Sequence, residues 1–119
     1  MVDAPIRVGL AGYAASRTLH APFVVEAGGE VAAVATTNPE RIASAREDFP
    51  NVAVVDDLDA LLARDDLDLV VITTPSGLHV DHALAAIRAS RPFVIEKPLA
   101  TSAEESRRIV AEARSAGVP

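Results

Sequence analysis

Apolar runs of strand length alternate with helix-period segments from one end of this chain to the other, and nothing else constrains the fold as tightly. Residues 6–11 are rich in β-formers and end at Gly12. A helix is expected over 15–27, disturbed by Pro22, before Gly28-Gly29 breaks the chain. The Val-rich stretch 30–36 predicts a second strand. Asn38-Pro39 reads as N-cap and first residue of a helix reaching Asp48. Residues 52–55 predict a short third strand, and Leu58, Leu61 and Leu62 mark a short helix by their spacing. The most apolar strand, 67–73, follows. Pro75-Ser76 then opens a helix with Val80, Ala83, Leu84 and Ile87 along one stripe. Residues 93–96 predict the fifth strand. Thr101 and Glu104 fit a capping box for a last helix ending near Ala116, with Gly117 just past its end.

Five βα units in tandem predict an α/β fold: a doubly wound parallel sheet of about five strands with helices on both faces. Uninterrupted apolar strands need cover on both sides, and parallel crossovers are right-handed. A chain of 119 residues has room for one domain, 1–119. A sixth strand is expected to start near Val118-Pro119, so the chain reads as one domain of something longer. Apolar surface near Val118 and the last strand is then expected to lie bare and to promote self-association.

Composition narrows the function classes. Seventeen acids against eleven Lys and Arg give a net charge of −6, without the basic excess of a nucleic-acid binder. No apolar run approaches the ~20 residues of a bilayer helix, and the N-terminus lacks the pattern of a secretory signal. With no cysteine there is no disulfide scaffold or thiol chemistry, and no metal-ligand constellation is visible. The expected location is cytoplasmic. Ten of the eleven basic residues are Arg; the one lysine is Lys97, in Glu96-Lys97-Pro98.

In a doubly wound sheet, ligands bind beyond the carboxyl ends of the strands at the switch point. The residues there are Gly12-Tyr13-Ala14-Ala15-Ser16, Thr36-Thr37-Asn38, Asp56-Asp57, Thr73-Thr74-Pro75-Ser76 and Glu96-Lys97-Pro98. The first group has the position and small-residue character of a dinucleotide turn. It is not a clean G-x-G-x-x-G: counting from Gly12, Ala14 stands second and Arg17 third. After the second strand, Thr36 and Thr37 replace the acid that binds the ribose of NAD. With Arg41 one turn on, this leans towards NADP over NAD. A non-enzymatic binding module that has lost its dinucleotide is the alternative. A receiver domain fits poorly, because no acid follows the first strand to hold Mg²⁺.

Several segments together resemble the Gfo/Idh/MocA family of NAD(P)-dependent oxidoreductases. They are Ile6-Arg7-Val8-Gly9-Leu10-Ala11-Gly12-Tyr13, Leu19-His20-Ala21-Pro22, Asp68 to Pro75 with His79 four residues on, and Glu96-Lys97-Pro98-Leu99-Ala100. The first turn departs from the family pattern: it looks one residue short and lacks its second Gly. The resemblance implies a Rossmann-like NAD(P)-binding domain within an enzyme that transfers a hydride between nicotinamide and a hydroxyl-bearing carbon of a sugar, polyol or related small molecule. It implies that Lys97 is catalytic, orienting the substrate oxygen and helping to move its proton. It also implies a cofactor site made of Gly12, Tyr13, Ala14, Ala15, Ser16, Thr36, Thr37, Arg41, Thr73, Thr74, Pro75, His79, Glu96 and Lys97. The family's C-terminal domain, with much of the substrate pocket and usually the oligomer interface, lies outside these 119 residues. The domain alone is therefore expected to be inactive, and a homo-oligomer is an expected partner state. His20 is expected either to cover the turn or to pack. His82 is expected to be solvated, and Asp56-Asp57 and Asp65-Asp66-Asp68 to act as caps and solvent-facing acids.

Overall fold

A computed structural model describes residues 4–119. The elements are β1 (Arg7–Ala11), α1 (Ala15–Leu19), α2 (Ala21–Glu26), β2 (Glu30–Ala35), α3 (Pro39–Asp48) and β3 (Ala53–Val55). They continue with α4 (Leu58–Leu62), β4 (Leu69–Ile72), a 3-10 turn (Ser76–Leu78), α5 (His79–Arg88), β5 (Phe93–Ile95) and α6 (Ala103–Ala116). The five strands form one parallel sheet in the order β3-β2-β1-β4-β5. The order reverses at β1, so the expected doubly wound fold is present with its switch point at the end of that strand.

Strand alternation divides the core. Val8 and Leu10 of β1 and Val71 of β4 face one side with Tyr13, Ala21 and Ala45. Ala11, Val70 and Ile72 face the other, with Leu58, Leu61 and Leu67. Val31 and Val34 of β2 lie three apart yet share a face. The register slips between Val8 and Gly9, leaving Ala32 without a partner, so the period of two resets there.

Gly9 is the close-approach point of β1. A Cβ there would stand 2.7 Å from Leu67 Cδ1, and Leu67 is 2% exposed. Arg91 fixes the approach to β4 by donating from its guanidinium to the carbonyls of Leu67, Leu62 and Arg64.

Three local expectations are corrected. The single helix over 15–27 is two helices meeting at His20, because Pro22 has no N–H to give to the Thr18 carbonyl. The last helix is capped by Ser102, not Thr101. Ser102 Oγ accepts from Glu105 N at 3.1 Å, and the Glu105 carboxylate accepts from the hydroxyls of both Thr101 and Ser102. Val118 is buried rather than bare, since Gly117 turns the chain with φ +69° and Val118 N donates back to Ala113 O. The Pro119 carbonyl accepts from Phe93 N. The last strand does carry bare apolar surface, as expected: Val94 of β5 is exposed together with Phe23 and Ile6 in a groove of about 370 Å³ on the sheet face beside α2. No helix among the described residues is long and apolar enough to cross a membrane.

Two outcomes follow from this packing. Leu10 is 0% exposed, so Leu10→Ala is expected to cost about 3 kcal/mol in urea denaturation. At the rim, the Asp66 carboxylate accepts from Arg64 and Arg7, which hold its pKa down to about 2. A depressed carboxylate stabilises the fold above its unfolded value of about 3.9, and that help is lost as pH falls towards 2. Carboxyl NMR should show Asp66 titrating near 2, with Arg64→Ala moving the midpoint upward.

Candidate functional site

β1 ends at Gly12, whose φ of +93° is a conformation that L side chains rarely adopt. Its N–H donates to the Ala35 carbonyl at 3.0 Å, tying the turn to the end of β2. A Cβ on Gly12 would stand 3.1 Å from Thr73 Oγ1. Thr73 in turn donates from both its N–H and its hydroxyl to the Ala11 carbonyl, each at 3.1 Å. The turn is thus stitched to the strands on both sides.

Ser16, 0% exposed, donates its hydroxyl to the Gly12 carbonyl at 2.6 Å and fixes the far end of the turn. Tyr13 does not present its ring to a ligand. The ring is in the core, and its hydroxyl donates to Asp48 Oδ2 at 2.7 Å. Burial first, and the Asp48 carboxylate second, raise the phenol's pKa; Arg17 and Tyr13 together lower that of Asp48. The Tyr13 side chain anchors the turn to the end of α3, leaving backbone and small side chains to face outward.

An open cleft of about 310 Å³ runs across the strand ends from β4 through β1 to β3. It is lined by Gly12, Tyr13, Ala14, Thr36, Thr37, Arg41, Thr73, Thr74 and Pro75. Asn38 caps α3 by accepting from Glu40 N and Arg41 N, which sets Arg41 on the first turn facing the cleft. The Arg41 side chain is exposed and forms no hydrogen bond or ion pair among the described residues.

Ala15, Ser16, His79, Glu96 and Lys97 do not line this cleft. Glu96 and Lys97 follow β5 on the other side of the turn. Glu96 N donates to the Ile72 carbonyl. Its Oε2 accepts from His20 Nε2 at 2.8 Å, and its Oε1 accepts from Lys97 N at 3.2 Å. His20, then the Lys97 N–H, lower the pKa of this carboxyl. The Lys97-Pro98 peptide is cis, and Lys97 itself is exposed.

His79 was expected at the cleft edge and is instead 1% exposed. Its two ring nitrogens lie 2.6 Å from the Pro98 carbonyl oxygen and 2.8 Å from that of Thr74, so it holds the loops after β4 and β5 together. His82 was expected in solvent. It is half-buried on the cleft wall, its Nδ1 hydrogen-bonded to Thr74 Oγ1 at 2.7 Å, and burial followed by the nearby His79 lowers its pKa. Asp56 and Asp57 also line the cleft. Their place directly after β3 was the available signal; as acids before a helix they pass for caps, which is what Asp57 is.

Comparison with known proteins agrees with this fold. A family described as "Oxidoreductase family, NAD-binding Rossmann fold" matches residues 6–119. The chain belongs to the Gfo/Idh/MocA oxidoreductase family. It is 35% identical to scyllo-inositol 2-dehydrogenase (NADP(+)) of Bacillus subtilis over 115 residues, which is 95% of this chain and 31% of that protein. Among solved structures, the WlbA dehydrogenase of Bordetella pertussis in complex with NADH and UDP-GlcNAcA aligns with a TM-score of 0.86 and 32% identity. That alignment covers 99% of this chain and 34% of the other. A 3-ketoreductase of Actinomadura kijaniata in complex with NADP and TDP-benzene aligns with a TM-score of 0.83 and 36% identity, covering 97% and 36%. This Gfo/Idh/MocA chain therefore spans about a third of the length of the relatives it matches, and it is their NAD-binding Rossmann domain.

For this domain, Gly12→Ala tests the turn. Backbone strain at φ +93° and the contact with Thr73 are expected to cost about 2 kcal/mol in urea denaturation. Amide NMR should show the largest changes at Ala11 and Thr73, and an unchanged midpoint would mean the turn is looser than its hydrogen bonds imply.

Proposed function

We propose that this domain holds NAD(P) across the carboxyl ends of its strands, with the pyrophosphate at the Gly12–Ser16 turn and the nicotinamide beside Lys97. In the whole protein it would serve hydride transfer to or from a hydroxyl-bearing carbon of a sugar, polyol or similar small molecule. The observation that carries this reading is the stitched Gly12 turn at the switch point, with Thr36, Thr37 and Arg41 on one side and Glu96-Lys97 on the other. The donor set fits the group: small residues at the turn, hydroxyls and one cation towards β2, and an ordered amine-bearing loop after β5.

The bound nicotinamide supplies the hydride chemistry. This chain's residues do the rest. The Lys97 amine orients the substrate oxygen and holds or gives up the proton that accompanies the hydride. Glu96, latched by His20, holds the Lys97 backbone from behind. His79 keeps the Lys97-Pro98 loop against the loop that carries Thr74. In the whole protein the rest of the substrate pocket would come from residues beyond the third of the relatives' length that this chain spans, so the domain by itself is expected to show no turnover.

The lean is towards NADP, because Arg41 is free to pair with a 2′-phosphate and no acid stands at the end of β2. Calorimetric titration with NADPH and NADH is the test. Arg41→Ala should weaken NADPH about tenfold while leaving NADH nearly unchanged, as expected for one lost charge-assisted hydrogen bond. Absence of binding to either nucleotide at millimolar concentration would defeat the whole reading. It would favour the competing one, a module in which the Ala14 methyl keeps the backbone from the ligand; a Gly inserted after Tyr13 would then be expected to restore binding.

A further inference from the structure

The parts of a dinucleotide come in fixed order: nicotinamide, ribose, pyrophosphate, ribose, adenine. The strands of this sheet come in the order β5-β4-β1-β2-β3. With the pyrophosphate at the tip of β1 and the nicotinamide towards β5, the second ribose would fall at the tip of β2. The base would then fall one strand further out, at the tip of β3. The two tips are adjoining, since Val55 pairs with Ala35 and Thr36 N donates to the Val55 carbonyl at 3.0 Å. The first residue beyond β3 is Asp56, which lines the cleft and is exposed.

Asp56 and Asp57 differ in what they do. Asp57 is occupied: its Oδ1 accepts from Ala60 N at 2.8 Å and caps α4. Asp56 takes part in no side-chain hydrogen bond or ion pair among the described residues, and it forms no pair with Arg41, the cation lining the same cleft. A carboxylate only accepts hydrogen bonds, so what it recognises must donate. The donor on the edge of adenine is its exocyclic amino group; hypoxanthine carries there a carbonyl, which repels a carboxylate, and its own donor sits one position away at N1. We infer that Asp56 is a specificity-determining residue that accepts a hydrogen bond from the adenine amino group. This rests on the dinucleotide reading above and adds to it a contact to the base.

The experiment is calorimetry on the 119-residue chain and on Asp56→Ala, with NADPH, NADH and reduced nicotinamide hypoxanthine dinucleotide. The unaltered chain should prefer NADH over the hypoxanthine analogue by about fivefold, the yield of one partly solvated hydrogen bond. Asp56→Ala should bring that ratio to about one, mainly by weakening NADH, with the thermal midpoint unchanged because Asp56 holds nothing in the fold. Equal binding of NADH and the analogue by the unaltered chain overturns the inference while leaving dinucleotide binding intact. So does an unchanged ratio in Asp56→Ala. A gain in NADPH over NADH in that variant, with the base ratio unmoved, overturns it as well and assigns the carboxylate to repelling a 2′-phosphate. No binding of any dinucleotide overturns both readings together.

Discussion

How the chain leaves β1 governs everything in the cleft. β1 is the central strand, paired on both sides, and its tip is where the strand order reverses. A parallel sheet can open a crevice only there, because neighbouring crossovers depart to opposite faces. Gly12 makes the departure possible with a positive φ. Ala35 and Thr73 then bind the turn to the ends of β2 and β4. Three strand ends are thereby set relative to one another before any ligand arrives, which reduces the ordering cost of binding.

Around that turn, buried polar groups hold the loops in place. A loop exposes backbone carbonyls that regular structure would have paired, and burial without partners would be costly. The histidines do much of this bracing, only one of them on carbonyls. His79 serves the Thr74 and Pro98 carbonyls, His82 the Thr74 hydroxyl, and His20 the Glu96 carboxylate. Tyr13 does the same for the turn through Asp48. None of these side chains needs to touch a ligand for the site to depend on it. A histidine near a strand end is thus as readily a brace between loops as a binding group.

Strands, helices and the neighbourhood of the site were legible along the chain because their signals are local. An apolar run between helical periods marks a buried parallel strand; Asn38 before Pro39 marks a helix start; Gly after an apolar run marks the tip. The small-residue turn and the Glu96-Lys97-Pro98 segment were likewise visible, since residues just past a strand lie at one edge of the sheet. What misled was direction. Tyr13 sits in the turn yet sends its ring into the core, and His79 follows the Thr74-Pro75 loop yet turns under it. Asp56 and Asp57 are neighbours in an identical local pattern, and only one of them caps the helix.

The order of residues by itself led to a doubly wound sheet and pointed to the ends of its strands, and the resemblance of several segments to a known family pointed to NAD(P) binding. Those conclusions depend on hydrophobic period, on glycine and proline, and on motifs whose meaning is carried within a few residues. Only the folded chain decided which of the side chains at those strand ends face the cleft and which face carbonyls behind it. That choice is made by contacts between segments far apart in sequence, such as His20 with Glu96 and Tyr13 with Asp48. Hydrogen bonds across such distances leave no mark in either segment by itself.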